Sequence, residues 1–166
     1  MTSPKSATSP IQIGTEGVYR HKPFVVVGRI VYAWEDGAWN EWHLGFNDGS
    51  SGWLSDAQAE YAVTFLTKTD NPLPAPDQAG RGRRCMLNST EYVLTAITRA
   101  RYVGVQGELP FEYWDKDEYV FGDLRSGDGR FATIDYSESP PLVFTGEFVD
   151  FDSLRLTNLK QFEGWS

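Results

Sequence analysis

Cysteine occurs once in this 166-residue chain, as Cys85, and histidine twice, as His21 and His43. A single cysteine forms no intramolecular disulfide, which fits a reducing, cytoplasmic compartment. So few thiol and imidazole groups, spread this far apart, give no zinc-site spacing, and no metal site is expected. Long apolar runs are also missing. The longest, residues 23–27, is strand-sized and far short of the ~18 residues a membrane helix needs. Residues 1–10 are polar and proline-containing, lack the apolar segment of a signal peptide, and are expected to be a disordered tail. Positive charge is scarce. The net charge is −8, with 5 basic against 9 acidic residues in 1–80 and 10 against 14 in 81–166. Such an evenly anionic chain has no basic face for phosphates, and Arg81, Arg83 and Arg84 are too short a run to make one. Nucleic acid is therefore excluded as a partner, and membrane insertion with it. No Gly-x-Ser-x-Gly elbow, P-loop or dinucleotide-binding unit is present, so no cofactor is expected and an enzyme is the less favoured class.

What the chain has is aromatic residues and glycine turns. Six Trp, eight Tyr and ten Phe can fill a sizeable core. Phe24 to Tyr32 alternates β-branched and aromatic residues and reads as a long strand, with Gly28 marking a bulge. Glu35-Asp36-Gly37 is a hairpin turn. Ala38 to Phe46 returns, placing Asn40, Trp42, Leu44 and Phe46 on one face and Trp39, Glu41 and His43 on the other. After Asn47-Asp48-Gly49 come strands at Trp53-Leu54 and Tyr61–Leu66, split by a polar excursion over Ser55–Glu60. Residues 68–86, rich in Pro and Gly, form an exposed connector. Glu91–Thr98, Arg101–Gln106, Tyr119–Leu124, Arg130–Tyr136 and Leu142–Val149 are the later strands, and Asp115 to Glu118 reads as a solvated loop tip. Asp152 with Leu156, Leu159 and Phe162 predicts a short C-terminal helix.

The chain also repeats itself. Gly49-Ser50-Ser51-Gly52-Trp53-Leu54, leading to Tyr61–Phe65, answers Gly127-Asp128-Gly129-Arg130-Phe131-Ala132, leading to Leu142–Gly146. The fold class this predicts is all-β: an internally duplicated small barrel or sandwich. Its parts are a tail (1–10), a first half (11–67), a connector (68–86) and a second half (87–166). One barrel and two smaller ones side by side fit equally.

Trp39-Asn40-Glu41-Trp42-His43-Leu44, the Trp53-Leu54 strand, Gly107-Glu108-Leu109-Pro110, the Asp135-Tyr136 pair and Gly146-Glu147-Phe148-Val149 together resemble the bacterial domain-of-unknown-function family numbered 4178. The resemblance covers residues 11–160 and implies a β-rich intracellular domain. It carries no reaction and no catalytic residues. Polyamine-synthesis-like enzymes and small membrane proteins are the context in which such domains are thought of.

Candidate site residues follow from the aromatic hairpin and these motifs: Trp34, Trp39, Glu41, His43, Trp53, Glu108, Asp135 and Tyr136. Alternation puts Trp39, Glu41 and His43 together, either packed against the other half or lining a groove. The first expectation is a non-enzymatic adaptor that docks on a protein partner, a membrane protein among the candidates, through the Trp39 face or a sheet edge. The alternative is a pocket for a small cationic metabolite such as a polyamine, for which Trp beside Glu is suited. The third is a carboxylate enzyme using Glu41 and Glu108, whose burial would raise their pKa values. Cys85, next to Arg83 and Arg84, is read as a small half-buried hydrophobe rather than a reactive thiol.

Overall fold

Ten antiparallel strands make one continuous sheet, and the sheet closes on itself. In chain order they are β1 (Glu16–Tyr19), β2 (Lys22–Trp34), β3 (Gly37–Phe46), β4 (Ser51–Ala57), β5 (Glu60–Thr67), β6 (Arg84–Leu87), β7 (Thr90–Gly107), β8 (Tyr119–Arg125), β9 (Arg130–Asp135) and β10 (Leu142–Val149). The computed structural model describes residues 8–78, 82–110 and 118–160. Eight strands in the order β2-β3-β4-β5-β10-β9-β8-β7 form a single barrel, closed where β7 returns to pair with β2. The two remaining strands are hairpin partners, β1 on the start of β2 and β6 on the start of β7. The all-β expectation thus takes the form of one barrel rather than two.

Several local expectations change. The polar excursion at Ser55–Glu60 shrinks to the two-residue turn Gln58-Ala59, both at positive φ, and Ser55 and Asp56 belong to β4. The same paired positive φ closes the β1–β2 hairpin at Arg20-His21 and the β6–β7 hairpin at Asn88-Ser89. Glu91–Thr98 and Arg101–Gln106 are one strand, β7, which pairs with β8 up to Ala100 and with β2 from Arg101 onward. Cys85 and Met86 lie in β6, so the connector ends at residue 83. The C-terminal helix is a single 3-10 turn, Phe151–Leu154, preceded by Asp150, whose side chain makes no capping bond, and stopped by Arg155 in the left-handed region. Leu156 and Leu159 pack on the first core from non-helical chain, and Phe162 lies outside the described residues. So do Asp115 to Asp117, and residues 1–7 of the tail. The described end of that tail is packed: Ser9 is buried and the Pro10 carbonyl accepts from the Lys160 N–H at 2.7 Å.

Two β-bulges decide what faces inward. Up to Val26, the even residues of β2 share a face with Trp42 and Leu44; past the bulge at Val26/Gly28 they turn to the opposite face. Phe24 and Val26 therefore join Trp42, Leu44, Leu54 and Val63 in a core outside the barrel, covered by Ile11 and Leu154. Ile30 and Tyr32 point into the barrel. The bulge at Leu94/Ala96 does the same in β7: Tyr92 and Leu94 join Leu124 and Ile134 in a second outer core, whereas Ala96 and Thr98 face the interior.

These features are related by an exchange of β1–β5 with β6–β10, which returns the same set of pairings. At the β5–β10 seam the centre is Phe65 opposite Thr145, flanked by Thr64 opposite Gly146 and Leu66 opposite Phe144. The turn glycines Gly49 and Gly129 share a φ of +87°.

Candidate functional site

All eight barrel strands contribute to an internal cavity of about 410 Å³. Its wall is aromatic over much of its area, with Tyr32, Trp34, Trp39, Trp53, Phe121 and Phe144 among the lining residues. The rings hold each other in place. Tyr32 stacks on Trp39 with centroids 5.0 Å apart and meets Phe121 edge-on at 5.1 Å. Contacts of Tyr32 and Trp39 with Phe121 cross from one half of the chain to the other, so the Trp39 face is turned inward against the second half.

Four carboxylates line the same cavity: Glu41, Glu60, Asp123 and Asp135. Arg125 is the cation among the described lining residues. It is committed to a bidentate pair with Glu60 at 3.0 and 3.4 Å and lies 4.7 Å over the Phe148 ring. Glu41 accepts a hydrogen bond from Trp39 Nε1 at 2.8 Å. Burial lifts the Glu41 carboxyl to about 7, against hydrogen bonds from Trp39 and Ser55 that favour the ionised form; nearby Asp123 and Asp56 add to the rise. Burial also lifts Asp123 to about 6, opposed by Arg125 and reinforced by Glu60. Both groups lie deep within the protein yet are only partly covered, because the cavity is open space beside them.

The other sequence candidates separate clearly. Trp53 lines the cavity and meets the ring of buried His43 in a tilted contact with centroids 4.9 Å apart. His43 Nδ1 meets the Glu108 carbonyl at 3.0 Å; that oxygen only accepts, so Nδ1 carries the proton, and Nε2 is buried with no hydrogen-bond partner among the described residues. The Glu108 side chain is exposed and does not join Glu41. What Gly-Glu-Leu-Pro supplies is backbone: the Glu108 N–H donates to the Val27 carbonyl at 2.7 Å, and Leu109 packs into the central aromatic cluster. Asp135 lines the cavity and its Oδ1 accepts from the Ser137 N–H at 2.9 Å. Tyr136, one residue on, points the other way, donates to the Pro74 carbonyl at 2.7 Å and pins the connector; burial pushes its phenol up to about 12. Cys85 is buried in the second outer core, where desolvation pushes its thiol up against the opposing pull of Arg83.

Asp123, Tyr32, Phe121 and Arg125 were not among the sequence candidates. The available signal was period two in β8: Phe121, Asp123 and Arg125 occupy one face, an unusual run for a strand with a covered interior.

A protein-family model described as "Domain of unknown function (DUF4178)" matches residues 12–151. The chain belongs to the DUF4178 family. The match takes in every barrel strand, so the cavity of this DUF4178 domain is built within the family region. No curated protein and no solved structure shows significant similarity to the chain. Among the described residues of this DUF4178 protein, no helix is long and apolar enough to cross a membrane, and no three His, Cys, Asp or Glu side chains are grouped to hold a metal ion.

Proposed function

We propose that this DUF4178 domain is a non-enzymatic binding protein that takes a small organic cation into its barrel, in a bacterial cytoplasm. One observation carries the reading. Glu41 and Asp123 are enclosed carboxyls on an aromatic wall, and the lining cation, Arg125, is already paired with Glu60. Burying acidic groups without a partner is costly; a bound cation offsets that cost through ion-pair and cation–π contacts. The volume fits a metabolite-sized ligand, and a polyamine is one cation of that class. The correspondence between β1–β5 and β6–β10 supports an origin by internal duplication. On that origin the site departs from symmetry, since His43 and Asp123 occupy equivalent places beside the two bulges.

The test is a melting series with linear amines and diamines. Binding raises the melting temperature, and the shift shrinks as salt rises. An unchanged melting temperature across the series rejects the reading.

Docking on a protein partner is the second reading. It does not use the Trp39 face, which is inside the barrel. The outer wall favours it instead, where Ile13 and Val103 border one depression and are 40% and 45% exposed. Val103→Asp should abolish capture of such a partner and leave amine-induced stabilisation intact; capture unaffected by the change would remove this surface.

A further inference from the structure

We infer that the cavity ligand is a primary amine, held as its ammonium by Glu41 and Asp123 and taken up in exchange for a proton. This rests on the cation reading above and adds the headgroup and the proton.

The headgroup follows from unused hydrogen-bonding capacity. No donor among the described residues bonds the Asp123 carboxyl; its backbone carbonyl accepts from Thr95, but the side chain is left to the cavity. Glu41 has two donors, Trp39 and Ser55, both neutral. The charged and titratable groups facing the two carboxyls are Tyr32 from β2, Glu60 from β5, Arg125 from β8 and Asp135 from β9, and Asp56 acts on Glu41 from the outer face of β4. Arg125 is the cation in that set, and its guanidinium is bidentate on Glu60. A primary ammonium brings three N–H donors, enough to bond Asp123 and Glu41, whose carboxyl is already within electrostatic reach of Asp123. A quaternary ammonium would suit Trp39 and Phe121 but has no donor, and Asp123 would stay unsatisfied. Beyond the carboxyls the wall is apolar at Ile30, Leu142 and Phe144, which suits an alkyl chain.

The proton follows from charge. A neutral carboxyl that receives an alkylammonium ionises, so the ammonium enters, the carboxyl O–H breaks and one proton leaves to solvent. In the empty barrel burial holds Glu41 at about 7 and Asp123 at about 6, so this exchange falls in the neutral range.

The experiment is calorimetric titration of the full chain with n-hexylamine and with hexyltrimethylammonium at pH 6.5, in two buffers of different ionisation enthalpy. Hexylamine should bind about tenfold tighter or more, as expected for a charged hydrogen bond. Its apparent heat should differ between the buffers, reporting proton release. Asp123→Asn should bring hexylamine down to the level of the quaternary compound. Equal or tighter binding of hexyltrimethylammonium, or a heat that is the same in both buffers, overturns the inference and leaves the cation reading in place. Binding of neither compound overturns both. The two-probe comparison is made on the unaltered protein and stands even if Asp123→Asn does not fold.

Discussion

Replacing Gly146 with alanine should cost the barrel about 3 kcal/mol or more, at the upper end of what overpacking does. A Cβ at this position would lie 1.7 Å from the Val63 carbonyl oxygen, 2.7 Å from its carbon and 2.8 Å from Thr64 Cα. All three are backbone atoms of β5, so no rotamer change relieves the clash and the two strands must separate. Gly146 sits at the β5–β10 seam, one of the two places where barrel strands of the two halves pair with each other. The other seam has its own glycine: a Cβ on Gly28 would lie 2.0 Å from the Glu108 carbonyl oxygen, the one that His43 bonds. Gly28→Ala should therefore be comparably destabilising and should also disturb the His43–Trp53 ring contact. Gly104→Ala is the control, because its Cβ would meet Val31 at an ordinary 3.6 Å. It should change stability by only about 0.5 kcal/mol. Urea unfolding followed by tryptophan fluorescence checks all three, and a Gly146→Ala midpoint equal to that of the parent would show that β10 does not sit this close to β5.

Both glycines lie in stretches that the sequence analysis singled out, yet what they do was not legible there. Gly28 is readable as a bulge because it interrupts an alternating apolar strand. Which carbonyl crosses over it depends on a contact with Glu108, eighty residues further on. Strands with clean alternation, such as β3 and β10, are visible from the residues alone. β4 is cut short in the reading because Ser55 and Asp56 look like loop. In the barrel, Ser55 faces the cavity and its hydroxyl is satisfied by a hydrogen bond to Glu41. β7 is split in the reading at Arg99-Ala100-Arg101, but this is where the strand changes partner from β8 to β2 and needs no turn.

The site shows the same division. Alternation alone sets Trp39, Glu41 and His43 on one face, and that face does line or border the cavity. Glu108 drew notice through the Gly-Glu-Leu-Pro pattern, but it contributes a backbone oxygen, which no side-chain reading can anticipate. Asp123 went unremarked because partnering with Glu41 depends on barrel closure, the joining of β2 to β7 and of β5 to β10. Closure brings β3 and β8 to a common interior although no pairing links them directly. Local pattern fixes which way a side chain points relative to its own sheet; only the long-range pairings decide what it points at.

Glu41→Gln should stabilise the empty barrel at pH 8 and leave it nearly unchanged at pH 4. The native carboxyl sits at about 7, raised by burial, whereas an unfolded glutamate ionises near its ordinary ~4.3. Between those values the folded state keeps a proton that the unfolded state gives up. Stability from this group is thus fully present below ~4.3 and is lost as pH rises to about 7. Asp123, held at about 6, works in the same direction over a narrower window. The full shift at Glu41, from ~4.3 to about 7, sets a ceiling of about 4 kcal/mol at pH 8, and solvent screening of this half-buried group brings the expected gain to about 1–2 kcal/mol. Glutamine removes the ionisation and keeps a carbonyl for the Trp39 N–H, so packing is preserved. Urea unfolding at the two pH values measures the difference, and a variant less stable than the parent at both would make Glu41 a structural residue whose hydrogen bonds outweigh its burial. Adding n-hexylamine at pH 8 should reverse the order, with the parent more stable than the variant, because only the parent has the Glu41 charge that the ammonium meets. A carboxylate that weakens the empty fold and strengthens the occupied one is retained for its ligand, whereas one that strengthens the fold in both states is retained for the barrel.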